Sequence, residues 1–176
     1  MKTRAHYLLV DGYNVIHARP ELEAIAADSL EGARVKLCDI LSEFMALSRY
    51  RIIVVFDAHL VPGGIGSVAE HNNVKIVFTK EAETADRYIE QAAYKLSKES
   101  RRDRITVATS DALEQLIILG QGASRISSAD LWTEIDATKD NLRRRHIENT
   151  PIKKNPLFGL LDKETAAKLE AMRYGK

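Results

Sequence analysis

One cysteine, Cys38, is all the thiol chemistry that this 176-residue chain holds. That excludes an internal disulfide, and the amphipathic helical pattern around Cys38 predicts a buried structural thiol. A cytoplasmic location is the matching expectation. No apolar run approaches the roughly 18–20 residues of a membrane span, so no membrane partner is expected. The N-terminal MKTRAHYLLVD lacks a signal-peptide layout, because its short apolar patch runs into Asp11. Internal repeats and low-complexity stretches are missing. No GxGxxG follows the first apolar run, and Gly64-Ile-Gly66 falls in a loop with no helix after it. This argues against a nucleotide cofactor. A DxD arrangement is also absent, since Asp11 is followed by Gly-Tyr-Asn. That speaks against a phosphatase or phosphotransfer domain of similar topology.

What is present suits one domain, or one domain with an appendage, with a sizeable core. Residues 139–176 carry ten Lys or Arg against five Asp or Glu, leaving the first 138 residues with sixteen against twenty. A mildly acidic body thus carries a basic C-terminal segment. Such a segment is either an anchor for phosphate backbones or a solvated helix with surplus lysines.

Strands are predicted at 6–10, 51–56, 74–78 and 104–108, with a short fifth at 125–127. Helices are predicted at 20–27, from Ser29 to about Ser48, from Thr84 to about Ser100, at 112–119, and from Ser128 or Asp130 to about Arg145. A last helix is expected at about 162–172. Residues 61–73, with Pro62, Gly63, Gly64 and Gly66, read as a loop. Such a loop at 58–72 could close over a substrate. His59 and His71 border it and either touch that substrate or are ordinary surface histidines. Trp132 sits at a helical apolar spacing and is expected in the core. Alternating strands and helices predict an α/β fold with a mostly parallel sheet.

Three predicted strands end on an acid: LLVDGYNVI at Asp11, IIVVFDAH at Asp57 and ITVATSDALE at Asp111. Ligands of open α/β sheets bind at the carboxyl ends of the strands. Parallel strands end on one edge, with a spacing of about 4.8 Å, so the three carboxylates gather there. Asp86, in EAETADRYIE, starts the helix after the third strand and joins them. Crowded carboxylates raise one another's pKa, and a hard divalent cation such as Mg²⁺ or Mn²⁺ relieves this. The cluster has no Cys and no His pair, which argues against zinc. The chemistry these residues suit is metal-assisted phosphodiester hydrolysis. Each acid also has a structural reading, as a turn residue, helix cap or partner of a helix dipole. Gly12 would let the backbone turn tightly beside Asp11. Asn14 either orients a carboxylate or a water, or caps the following helix. Tyr13 is read as packing, and Thr109 and Ser110 as hydrogen-bond partners of Asp111.

Taken together and in order, LLVDGYNVI, VVFDAH, TKEAETADRYIE and VATSDALEQ resemble the YacP-like branch of the NYN-domain family, the PIN-like ribonucleases. The resemblance implies an α/β/α sandwich with parallel strand order 3-2-1-4-5. It implies Mg²⁺- or Mn²⁺-dependent endonucleolytic cleavage of RNA, with Asp11, Asp86 and Asp111 matching the metal-binding carboxylates. Asn14 matches the Asn of the family's first motif, and Asp57 an acid found in this branch. The branch resembles ribosome-associated nucleases that cut mRNA, which makes mRNA and the ribosome the implied partners. Arg143, Arg144, Arg145, Lys153 and Lys154, in RRRHIENTPIKK, are the expected RNA contacts. The nuclease domain is expected over 1–145 and the basic extension over 146–176. The alternative is a non-catalytic RNA- or ribosome-binding module on the same fold.

Overall fold

The computed structural model describes residues 4–57, 65–100, 102–110 and 123–149. Its strands are β1 (His6–Asp11), β2 (Tyr50–Phe56), β3 (Ile65–His71), β4 (Val74–Lys80), β5 (Arg104–Ala108) and β6 (Ser124–Ile126). Its helices are α1 (Gly12–His17), α2 (Pro20–Asp28), α3 (Leu30–Leu47), α4 (Ala85–Glu99) and α5 (Ser128–Asn149). The chain divides into two compact units, Met1–Asp140 and Asn141–Lys176.

The strands form one sheet in the order β3-β4-β2-β1-β5-β6. All neighbouring pairs are parallel except β3 with β4. Without β3 this is the order 3-2-1-4-5 that the family resemblance implied. The chain moves outward from β1 through β2 to β4, then returns to pair β5 with the other side of β1. The point where strand order reverses therefore lies between β1 and β5.

The loop expected over 61–73 is only partly a loop. Ile65–His71 is an edge strand paired antiparallel with β4, with Ile65 opposite Lys80 and His71 opposite Val74. The connection is tight because Asn72 and Asn73 both take positive φ, 48° and 70°. Asparagine tolerates that conformation better than most residues, and it suits a two-residue hairpin. Gly66, at φ +75°, shares the glycine-favoured region and sits inside the strand. The proline- and glycine-rich start of the segment masked the hairpin signal at its end. With residues 65–71 in the sheet, a lid spanning the whole of 58–72 is ruled out.

Two cores flank the sheet. On one face Leu8, Val10, Ile52, Val54 and Phe56 pack with Leu37, Leu41 and Phe44 of α3 and with Leu131, Trp132 and Ile135 of α5. On the other, Leu9, Val55, Val77, Ile105 and Val107 pack under Ala85, Ile89 and Ala93 of α4. This is a three-layer α/β/α arrangement. The central strands are buried on both faces, which is why β2 reads as a continuous apolar run rather than an alternation. Ser29 caps α3 by accepting the Gly32 N–H at 3.0 Å. Cys38 is buried, and burial pushes its thiol up to about 11, as suits an unreactive core residue. Trp132 is core as expected, and its indole N–H donates to the Val15 carbonyl at 3.0 Å.

Candidate active site

β1 ends at Asp11, and the next residue already begins α1. Asp11 is the N-cap of that helix: its backbone is extended, and its Oδ1 accepts the Asn14 N–H at 3.1 Å. The structural reading of Asp11 and the functional one are therefore both met by one side chain. Asn14 lies inside α1 and caps nothing; α2 has Arg19 at its N-cap. Gly12 is needed for space rather than for a turn. A Cβ there would stand 2.2 Å from Phe56 Cε1, and Gly12 is not among the positive-φ residues. The turn expected at Gly12 is thus replaced by a close approach of the helix start to an aromatic ring.

Phe56 ends β2, and Asp57 follows it. Asp57 Oδ2 accepts the Ala85 N–H at 3.4 Å, which ties the end of β2 to the start of α4. Thr84 caps α4 by accepting the Arg87 N–H at 3.3 Å. Asp86 then sits in the first turn of α4, where a negative charge is favoured by the helix dipole.

These elements close a cavity of about 440 Å³ lined by Asp11, Tyr13, Asn14, His17, Asp57, Thr84, Ala85 and Asp86. Asp11, Asp57, Asp86 and Asn14, four positions singled out from the sequence, are brought together there. Asp11 is only 8% exposed, whereas Asp86 faces solvent. Burial holds the Asp11 carboxyl above its usual range, and the nearby Asp86 and Asp57 push it further; the backbone and side chain of Asn14 pull it back. Asp111 lies outside the described residues, as do the helix expected at 112–119, His59, Lys153 and Lys154.

The residues suit a hard cation in type, since Asp11, Asp57, Asp86 and Asn14 all offer oxygen donors. Among the described residues, however, no three of His, Cys, Asp or Glu stand close enough to hold an ion by themselves. Mg²⁺ commonly takes one or two carboxylates and keeps several waters. Asp11 with one neighbour matches that need.

Tyr13 packs edge-on against Phe56 at 5.2 Å and accepts a hydrogen bond from Arg34 at 2.9 Å, the packing role read from the sequence, and it also lines the cavity. Other sequence readings lie outside this lining. His71 is at the far end of β3 and meets Asp39 of α3 at 2.6 Å. Arg143, Arg144 and Arg145 are exposed near the end of α5, in the second compact unit. Sequence reasoning missed His17 and Thr84. The i, i+3 spacing of Asn14 and His17 puts both on one helix face, but a six-residue helix carries too little periodicity to recognise. The Thr in ETAD, before a helical run, is an N-cap signal that the sequence does carry.

The chain matches the YacP-like NYN domain over residues 8–174. It is 44% identical over 138 residues to the uncharacterized protein YacP of Bacillus subtilis (strain 168), covering 78% of this chain and 79% of the relative. It is similar to the crystal structure of Rae1 (YacP) from Bacillus subtilis, with a TM-score of 0.69, 40% identity and 96% of this chain and 95% of that one covered. A mutant of the same protein gives a TM-score of 0.70 at 37% identity, with 95% and 99% covered. By sequence and by structural similarity, the chain belongs to the YacP-like NYN domain family, within the PIN-like nucleases.

Proposed function

We propose that this protein is a metal-dependent endoribonuclease that hydrolyses RNA phosphodiester bonds. The observation that carries the reading is the meeting of Asp11, Asp57, Asp86 and Asn14 around one cavity, with Asp11 buried beside two other carboxylates. Such an arrangement is unfavourable for folding alone, and a cation beside it makes it tolerable. Asp11, Asp86 and Asp111 would hold Mg²⁺ or Mn²⁺, with Asp57 as a further acid. The bound ion would polarise the scissile phosphate and favour formation of hydroxide from water.

The chain's own residues do the positioning. The Asn14 backbone N–H fixes one oxygen of Asp11, and its side chain reaches the same carboxyl. Asp57 anchors the start of α4 through the Ala85 N–H, so the Asp86 backbone is held in place from β2. Tyr13, held by its edge-on contact with Phe56, lines the cavity beside Asp11.

We further propose mRNA on the ribosome as the substrate setting, on the strength of the family resemblance and of the exposed Arg143, Arg144 and Arg145. Incubation of the full chain with RNA under Mn²⁺ or Mg²⁺ titration tests the chemistry. Cleavage should appear with the ion, vanish with EDTA, and fall by several powers of ten in Asp11→Asn. Cleavage that survives Asp11→Asn overturns this site. Binding without cleavage at any ion concentration favours the non-catalytic module instead. Sedimentation with ribosomes, for the full chain and for an Arg143→Gln, Arg144→Gln, Arg145→Gln triple variant, tests the setting.

A further inference from the structure

The carboxyl edge of the sheet gathers acids, and its opposite edge gathers arginines. At the amino edge His6 pairs with Tyr50 on one side and Arg104 on the other, while Tyr7 pairs with Arg51. Arg4 precedes β1, Arg49 precedes β2 and Arg102 precedes β5. The segment starts are locked together: Ala5 N–H donates to Asp103 Oδ1 at 2.9 Å, and Arg104 N–H donates to the Ala5 carbonyl at 2.9 Å. All five arginines, Arg4, Arg49, Arg51, Arg102 and Arg104, are exposed. Among the described residues none of them enters an ion pair.

Aromatic surface lies between these charges. The His6 and Tyr50 rings are 4.4 Å apart, and Arg51 Cζ stands 5.9 Å over the Tyr7 ring. Burial, then Arg104 and to a smaller extent Arg4, hold the His6 imidazole below its usual range against the opposing pull of Glu134, and its Nε2 is 2.9 Å from Thr106 Oγ1. Two carboxylates stand nearby, Asp103, which takes the Ala5 N–H, and Glu134, which faces the Tyr50 hydroxyl, so the five arginines remain in excess. Exposed like charges repel, and packing of the core does not require five of them on one rim. A polyanion satisfies them together, and interleaved arginines and rings suit a nucleic-acid backbone with unstacked bases.

We propose that the amino edge of the sheet is a second RNA-binding surface, which takes the sugar–phosphate backbone through Arg4, Arg49, Arg51, Arg102 and Arg104. It rests on the nuclease reading only in naming RNA as the polyanion. β1 and β5 are six and five residues long, so the two edges lie about 17–20 Å apart. The surface therefore holds a different stretch of RNA from the one at the acids. It anchors the substrate RNA, while the carboxyl edge, itself repelled by phosphate, engages the scissile bond.

The test is fluorescence anisotropy of a labelled RNA hairpin titrated with the full chain across a salt series, in EDTA, with the RNA checked for integrity. Arg51→Gln with Arg104→Gln should weaken binding severalfold and lower the slope of log Kd against log salt by about 0.7–0.9 for each phosphate that is no longer neutralised. Arg51→Lys with Arg104→Lys should keep the slope. Lys36→Gln, which removes a charge from the exposed side of α3, should bind as the parent does. Unchanged affinity and slope in the Gln pair overturn the proposal. So does an equal weakening in the Lys pair, which would mean that charge is not what the RNA reads, or an equal weakening in Lys36→Gln, which would mean that only net charge matters. EDTA keeps divalent ions out of the measurement, so failure here leaves the cleavage reading standing, and failure of cleavage leaves this surface standing.

Discussion

Asp11 caps α1 and faces two other carboxylates, and the second arrangement works against the stability that the first supplies. Its folded pKa is raised, so between its unfolded value, about 3.9, and the folded one the native state binds more protons than the unfolded chain. Stability contributed by this group is therefore highest at low pH and falls as pH rises through that window. Asp11→Asn keeps a capping oxygen and removes the charge. It should raise the melting temperature at neutral pH while destroying activity, by about 2–4 °C for each kcal/mol of penalty relieved. The gain should shrink as melts are repeated at pH values below the usual carboxylate range. Mn²⁺ should raise the melting temperature of the parent chain and have a smaller effect on Asp11→Asn. A variant that melts lower than the parent at neutral pH would mean that the carboxylate is not strained. Gly12→Ala tests the neighbouring helix start. The added methyl meets the Phe56 ring, itself packed against Tyr13 and Phe78. Overpacking of this kind costs about 1–3 kcal/mol, and chemical denaturation should show the decrease.

Among the elements, α1 is the least self-sufficient. Six residues cannot hold a helix in water, and its last carbonyls need partners from outside. Asp11 supplies the N-terminal cap, and Trp132 of α5 supplies a donor to the Val15 carbonyl. Arg19, just past α1, lies 4.8 Å over the Trp132 ring and pairs with Asp136 at 2.7 Å. α5 thus clamps the C-terminal end of the helix that presents Asn14 and His17. Trp132→Phe keeps an aromatic ring but leaves the buried carbonyl without its donor. It should cost about 1–3 kcal/mol in denaturation and lower cleavage without affecting metal-free RNA binding. α4 shows a similar dependence at its start. Thr84→Ala removes the cap and should cost about 1 kcal/mol, with Thr84→Ser restoring most of it.

On the scale of the whole molecule, charge is segregated along the strand direction. Acids lie at the carboxyl edge and arginines at the amino edge, and a further basic run, Arg143–Arg145, lies in the second compact unit. A single net charge of +1 conceals all of this. RNA attraction should thus be strongly salt-dependent although the protein is close to neutral. The Arg143→Gln, Arg144→Gln, Arg145→Gln variant should melt as the parent does, since all three side chains are exposed. Its cosedimentation with ribosomes should fall at moderate salt; undiminished cosedimentation would remove the second unit from the ribosome proposal.

Much of this was legible in the chain itself. β1, β2 and β5 are largely buried strands, and burial on both faces writes itself as apolar runs, each followed by an acid. α3 and α4 are long enough for their period and caps to show. Strand order came only with the family resemblance, because periodicity says which residues form a strand and nothing about its neighbours. β3 was hidden because an edge strand buries little, so its residues are not selected to be apolar: Val68 is 62% exposed. α1 was hidden because its stability comes from Asp11 and Trp132, which are far apart in sequence. The sequence determined which side chains could bind a cation, since donor chemistry is a property of the residue. Only the tertiary structure decided that Asp11 is buried beside Asp57 and Asp86, and that five scattered arginines share one rim, because distance and desolvation exist only once the chain has folded.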